Sequence, residues 1–386
     1  MGISNRKIRV LRFSGEAMTD LVQRNQYGAN YIPDIEEFKR SVHFKTAIPH
    51  QVEFQPGPLK GNLCWLKCPY CYGGSATDTG ERLSKKCAIE TLNEIADGGV
   101  NKVIFAGYCT DPLNCEYIED LLEVAIERQM IFGFNTKAIR VSDGFLKLLS
   151  SPNIVPGSYI SISVDAGNNE SYNRVHGVSG NRIYSRVKKN VEHMAMSRAV
   201  NIDITATYLI NKLNNNKGEV EQFISDFRNR GCDLIRFAFP QQPRGSSHCD
   251  PNESVPVRQG SVWASSQKER ERYKERLLPL IHEEDINGSC RVMLVDADTE
   301  HGIFRKRTLP CVARWVYPTI GFDGWVYPCS QSAAPNFRKI ALGNLAEKNF
   351  WDILDDYDVN NLYALDMDEA GCRCDRKEHI VNAKNL

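Results

Sequence analysis

The sequence predicts an α/β protein built around a parallel sheet, and three observations predict it. Short apolar runs alternate with helix-period stretches between residues 52 and 239. The alternation recurs at roughly 30-residue spacing, the period of a βαβ unit. With 42% hydrophobic and 25% charged residues in a chain of 386, the composition is that of a globular protein able to bury a sizeable core. Strands joined by crossover helices make a parallel sheet. Six such units suit a partial (β/α) barrel or an open doubly wound sheet, and spacing alone does not choose between them.

The elements follow in order. Residues 1–50 read as an N-terminal extension, with a strand at Lys7–Phe13 and a short helix at Ile35–Val42, neither with a clean period. Val52–Phe54 is the first strand and runs into the loop Gln55-Pro56-Gly57-Pro58. Helical Ser84–Ala96 leads to the strand Val103–Gly107, and helical Tyr117–Arg128 to Ile131–Phe134. Asp143–Leu149 then precedes Tyr159–Val164, Tyr184–Met196 precedes Ile202–Leu209, and Glu219–Arg230 precedes Leu234–Phe239. Polar residues 240–262, rich in Pro, Gly and Ser, read as a loop or lid that closes a domain spanning 51–262. Gln267–His282, dense in i, i+4 charge pairs, reads as a solvated linking helix within 263–289. In 290–386, Trp315-Val316-Tyr317-Pro318 and Trp325-Val326-Tyr327-Pro328 read as two arms of a hairpin turned at Asp323-Gly324.

The chemistry is concentrated in the loop Gly61–Gly74, which carries Cys64, Cys68 and Cys71 in the spacing C-x3-C-x2-C with Tyr70 before the third. Iron–sulfur clusters are held by thiolates, usually four, so three on one loop leave one iron of a four-iron cluster open. A zinc knuckle is the competing reading, although no His or Cys stands at finger spacing after Cys71. The loop resembles the signature of the radical S-adenosylmethionine (radical SAM) enzymes, position by position. That resemblance implies a partial (β/α)6 TIM-type barrel with the cluster loop after its first strand. It also implies a [4Fe-4S] cluster whose open iron is chelated by SAM, cleaved on reduction to a 5′-deoxyadenosyl radical that abstracts a substrate hydrogen. The reductant would be a flavodoxin or ferredoxin.

Four further cysteines, Cys311, Cys329, Cys372 and Cys374, frame and follow the hairpin. A free cysteine is usually a small buried hydrophobe, yet four in the last quarter, two of them as Cys-x-Cys, fit that reading poorly. Cys311, Gly324 and Cys329, with Leu342–Leu345 and Phe350–Leu354, resemble the SPASM/twitch extension of the same superfamily. The resemblance implies a small C-terminal β-hairpin/helix domain with one auxiliary [4Fe-4S] cluster on those four cysteines, Cys290 being a possible substitute ligand. It further places SAM against Tyr70, Gly107, Thr110, Asp111, Asn135, Ser161, Ser163, Asp165, Asn214 and Arg174, with His176 as an alternative to Arg174. Cys109, at the predicted barrel mouth, is a candidate hydrogen-atom donor, against the reading of a packed thiol; Cys115, Cys232 and Cys249 have no assignment.

Charge and targeting signals narrow the partners. Lys plus Arg and Asp plus Glu balance at 48 each, with no basic cluster, so a nucleic-acid substrate is not expected. No run is apolar enough to span a bilayer and Met1–Arg6 lacks a signal peptide, so the expectation is a cytoplasmic protein without membrane contact. Thirteen cysteines then point to reduced thiols and metal ligation. Two substrate classes compete. Family base rate favours a ribosomally made peptide, with a separate leader-binding protein because no leader-recognition module is evident. Four auxiliary cysteines favour oxidation or epimerisation of a sugar or aminocyclitol. An electron-transfer protein without SAM chemistry is the non-enzymatic alternative.

Overall fold

The computed structural model describes residues 35–71, 73, 78–180, 182–239, 267–287, 290–295 and 312–359. Helix α1 (Ile35–His43) precedes strand β1 (Val52–Phe54). A repeating series follows: α2 (Lys85–Asp97), β2 (Lys102–Phe105), α3 (Ile118–Glu127), β3 (Ile131–Thr136), α4 (Asp143–Leu149) and β4 (Ser158–Ser163). It continues through α5 (Asn169–His176), α6 (Ile183–Ser197), β5 (Ile202–Leu209), α7 (Lys217–Arg228) and β6 (Leu234–Ala238). Helix starts are set by side-chain caps: Ser84 accepts from Cys87 N, Ser142 from Phe145 N, and Asn168 with Ser171 forms a capping box.

Two corrections concern the next stretch. Gln267–His282 is not a solvated linker: helix α8 (Gln267–Asn287) buries Leu277, Leu280 and Ile281 in the main core. Those residues lie three and four apart, one face of a helix, while Glu271, Arg272, Glu275 and Arg276 are exposed. Helix α8 is the crossover to a seventh parallel strand, β7 (Arg291–Val295), which pairs with β6 through Leu234↔Arg291 to Ala238↔Val295. The sequence reading placed these residues in the C-terminal domain. The loop expected at 240–262 and the strand expected at Lys7–Phe13 lie outside the described residues.

The C-terminal segment joins the opposite edge. Short helix α9 (Ala313–Val316) contains Trp315 and Val316, so the predicted first hairpin arm is helical. The hairpin arms are β8 (Thr319–Ile320) and β9 (Trp325–Tyr327), antiparallel across Phe322-Asp323-Gly324, and β9 pairs with β10 (Gly343–Asn344). Strand β8 is parallel to β1, giving one sheet in the order β10-β9-β8-β1-β2-β3-β4-β5-β6-β7. Helix α10 (Phe350–Leu354) docks on α2: Trp351 Nε1 donates to Glu94 O at 3.1 Å, and a Cβ on Gly98 would sit 2.1 Å from the indole.

The sheet has an apolar outer face and a polar inner one. Val103, Phe105, Phe132, Phe134, Ile160, Ile162, Ile204, Ile235 and Phe237 are buried against the helices. Alternation along the strands sends Glu53, Asn135, Ser161, Ser163, Thr205, Thr207 and Arg236 to the other face. This is a mixed α/β fold of partial-barrel type, with its polar groups turned inward.

Candidate active site

The cysteine loop leaves the C-terminal end of β1 and is closed by its own flank. Arg82 Nε donates to Pro58 O at 3.0 Å, and Lys67 N donates to His176 O at 2.9 Å. Cys71 N donates to Cys68 O at 3.1 Å. Cys64 and Cys71 are half-buried, Cys68 is buried, and none of the three is in a disulfide. Behind them the backbone approaches closely. A Cβ on Gly73 would fall 2.1 Å from Tyr108 O, so this position accepts only glycine without a shift of the loop after β2. Burial pushes the Cys64 thiol up and the Cys68 thiol up to about 12.

A buried polar network stands under the loop. Tyr70 OH donates to Asp165 Oδ2 at 2.6 Å, and Lys137 Nζ donates to Asp165 Oδ2 at 2.9 Å and to Tyr70 OH at 3.2 Å. Asp165 Oδ1 accepts from Leu209 N at 2.8 Å, and Asn214 Nδ2 donates to Asp165 O at 2.8 Å. Burial pushes the Asp165 carboxyl up, but Lys137, His176 and the Tyr70 hydroxyl outweigh it and the net direction is down. His176, fully buried, has Nε2 2.9 Å from Val164 O. A carbonyl only accepts, so Nε2 carries the proton and Nδ1 is bare. Nδ1 lies 3.1 Å from Cys68 Sγ and 3.3 Å from Tyr70 OH. Burial, then the Lys137 cation, pull the His176 pKa down to about 3.

The remaining predicted residues divide by position. Asp111 accepts from Thr136 Oγ1 at 2.7 Å, Lys137 N at 2.6 Å and Leu113 N at 3.0 Å, and so joins the β2 and β3 loops. Asn135, Ser161 and Thr205 are register neighbours on the inner face, with Ser163 beside Thr207 in the next layer. Gly107 is exposed and Thr110 half-buried, its hydroxyl donating to Pro56 O at 3.1 Å. Asn214 is fully buried and spent on Asn211 N, Leu209 O and Asp165 O. Arg174 turns away from this network: its guanidinium bonds Leu213 O and Glu219 Oε1, each at 2.9 Å. His176, the alternative to Arg174, lies beside Cys68 instead. Cys109 is buried among Leu63, Tyr108, Phe322 and Tyr327.

The auxiliary set is described only in part. Cys329 is buried with Trp315, Val316 and Tyr317; Cys311, Cys372 and Cys374 lie outside the described residues, as does Cys249. Cys290 stands instead in the main core beside β6, at the far edge of the sheet from β9, and the Cys232 thiol feels it directly.

Family models decide what this arrangement belongs to. Residues 59–227 match the model of the Radical SAM superfamily, and residues 311–376 match the SPASM iron–sulfur cluster-binding domain. The chain is a radical SAM protein with a C-terminal SPASM domain. A comparison with curated proteins found no match. Among solved structures, the chain is similar to SuiB of Streptococcus suis bound to S-adenosylmethionine, at 14% identity over 90% of this chain and 73% of that one, with a TM-score of 0.58. It is similar to SuiB bound to its precursor peptide SuiA at 16% identity over 91% and 77%, TM-score 0.58. A structure of anSMEcpe with bound AdoMet matches at 17% identity over 82% and 79%, TM-score 0.53. At these identities the likeness establishes the fold.

The cofactors of this radical SAM protein are a SAM-binding [4Fe-4S] cluster and an auxiliary cluster in the SPASM domain. The donor set under the first motif suits such a group. It offers three thiols on one short loop, none of them in a disulfide, with the Lys137 ammonium 3.2 Å from the hydroxyl of Tyr70 between two of them. Among the described residues no helix is long and apolar enough to cross a membrane.

Proposed function

We propose that this radical SAM enzyme modifies a ribosomally made peptide by abstracting a hydrogen from an unactivated carbon. Cys64, Cys68 and Cys71 would hold the SAM cluster, and Cys311, Cys329, Cys372 and Cys374 the auxiliary one. The bound cofactor supplies a 5′-deoxyadenosyl radical, chemistry that side chains alone cannot make. The protein supplies position. Asp111 holds the β2 and β3 loops together at the mouth. Asn135, Ser161 and Ser163 line the polar inner face that SAM and substrate would share. Cys109 packs among Leu63, Tyr108, Phe322 and Tyr327, as the reading of a packed thiol has it.

The observation that carries the peptide reading is the pairing of a SAM barrel with a SPASM domain on one chain, in a fold similar to SuiB, itself solved with its precursor peptide. Electrons would come from a flavodoxin or ferredoxin. The test is an anaerobic assay of reconstituted protein with SAM, dithionite and a panel of precursor peptides, with a parallel panel of sugars and aminocyclitols. A mass change in a peptide, matched by 5′-deoxyadenosine and absent in Cys68→Ala, is the expected result. A product only in the second panel would replace the substrate class. No 5′-deoxyadenosine from cluster-loaded protein in either panel would favour electron transfer.

A further inference from the structure

The loops that follow β2 and β3 have a second face. On the side of the cysteine loop, Asp111 accepts from Lys137 N at 2.6 Å, and the Lys137 side chain runs to Tyr70 and Asp165. A few residues further along, the same two loops wall a cavity of about 490 Å³, shared with helices α3, α4 and α6. That volume is within the range of ligand-binding pockets. Leu113, Ile118, Ile139 and Phe145 give the cavity an apolar lining, and the exposed Arg140 and Arg186 stand at it.

Its charges divide into committed and uncommitted ones. Glu116 and Glu119 also line the cavity, and each holds a donor. Glu116 Oε2 accepts from Leu59 N at 2.8 Å, and Glu119 Oε1 from Ser142 Oγ at 2.5 Å. The Arg140 and Arg186 guanidinium groups make no hydrogen bond or ion pair among the described residues. The segments that carry them are nevertheless fixed to each other. Asn190 Nδ2 of α6, the helix of Arg186, donates to Ala138 O at 2.8 Å and to Ile139 O at 3.1 Å, just before Arg140. Ala138 has a φ of 51°, in the left-handed region, and its N–H donates to Thr136 Oγ1 at 2.9 Å. Strain of this kind persists where the surroundings over-determine it. The kink separates Lys137, which reaches Asp165, from Arg140, which faces the cavity.

We propose that this cavity holds an acidic and apolar segment of the substrate peptide, outside the residue that is modified. Carboxylates of the segment meet Arg140 and Arg186, and an apolar side chain beside them covers Leu113, Ile139 and Phe145. A guanidinium suits a carboxylate because its planar fork donates two parallel hydrogen bonds. An acidic segment is favoured over a basic one because the two cations are free while both carboxylates already hold a donor. Exposed charge pairs are individually weak, so the apolar contact supplies affinity and the arginines select the segment. The inference rests on the reading of a peptide substrate and gives it a docking point beside the loops of the site.

Binding is read separately from the chemistry. A fluorescein-labelled peptide of alternating Glu and Leu, and the same peptide with Gln for Glu, are titrated with full-length reconstituted protein and followed by fluorescence anisotropy. The Glu peptide binds about tenfold tighter than the Gln peptide, and salt narrows the difference. Arg140→Glu/Arg186→Glu abolishes that preference. Arg272→Glu/Arg276→Glu, an equal change of charge at two exposed residues of α8, keeps it. No binding of either peptide, equal binding of both by wild type, or the same loss in both double variants overturns the proposal. The precursor-peptide panel is then assayed with the same proteins. For a peptide that is modified, Arg140→Glu/Arg186→Glu raises KM about tenfold and leaves kcat near wild type. An unchanged KM overturns the docking site and leaves the peptide reading standing. Products only from the sugar and aminocyclitol panel overturn the peptide reading, and this proposal with it.

Discussion

At the residue scale, the site depends on side chains whose charge state burial has changed. His176 is the clearest case. Its folded pKa, about 3, lies far below the ordinary value near 6.5, because burial and then Lys137 disfavour the imidazolium. The unfolded chain therefore binds a proton that the folded chain does not. Stability from this group is complete above the ordinary value and is lost as pH falls from about 6.5 toward 3. Between pH 7 and pH 5 that loss is about 2 kcal/mol, an order-of-magnitude figure from linkage. Guanidinium denaturation of wild type at both pH values, beside His176→Gln, checks it. The variant is expected to lose less stability on acidification. An identical pH dependence in the two proteins would contradict a neutral, buried imidazole.

At the scale of elements, the informative case is α8. Its charged face made it read as a linker, yet Leu277 is 1% exposed and packs in the main core with Leu280 and Ile281. Leu277→Ala should cost about 2–5 kcal/mol, the range for truncating a buried leucine. Arg272→Ala, on the exposed side of the same helix, should stay within about 0.5 kcal/mol of wild type, as surface substitutions do. Urea midpoints distinguish them. Similar small losses at both positions would restore the picture of a solvated connector and would leave β7 without its crossover support.

At the scale of the whole molecule, the barrel and the C-terminal segment share one sheet. Strand β8 pairs with β1, the strand that launches the cysteine loop, while Leu83 N donates to Phe322 O at 2.7 Å on the loop's return. Arg338, in the C-terminal segment between β9 and β10, pairs with Glu81 on that same return and with Asp323 at 3.3 Å. The hairpin is thus a brace for the first cluster loop as well as a carrier of Cys329. Iron analysis after anaerobic reconstitution is expected to give about eight irons per chain, falling to about four in Cys64→Ala/Cys68→Ala/Cys71→Ala. About four irons falling to none would remove the auxiliary cluster and with it the four-cysteine assignment.

The sequence by itself determined the local elements and the chemistry-bearing motif. Helix α4 and strands β1 and β5 match their predicted limits, because period, caps and turn residues are local properties. The three-cysteine loop was legible because iron–sulfur ligation constrains spacing along the chain. What only the tertiary structure decided is what depends on neighbours distant in sequence. Packing turned α8 into a core helix and β7 into a seventh strand. The same packing sent Arg174 outward to Glu219 and brought His176 to Cys68 across more than a hundred residues. Lys137 was visible only as the residue after Asn135 and Thr136 at a strand end. Its ion pair with the buried Asp165 carboxylate, from the neighbouring strand's loop, is set by sheet geometry and absent from any spacing along the chain.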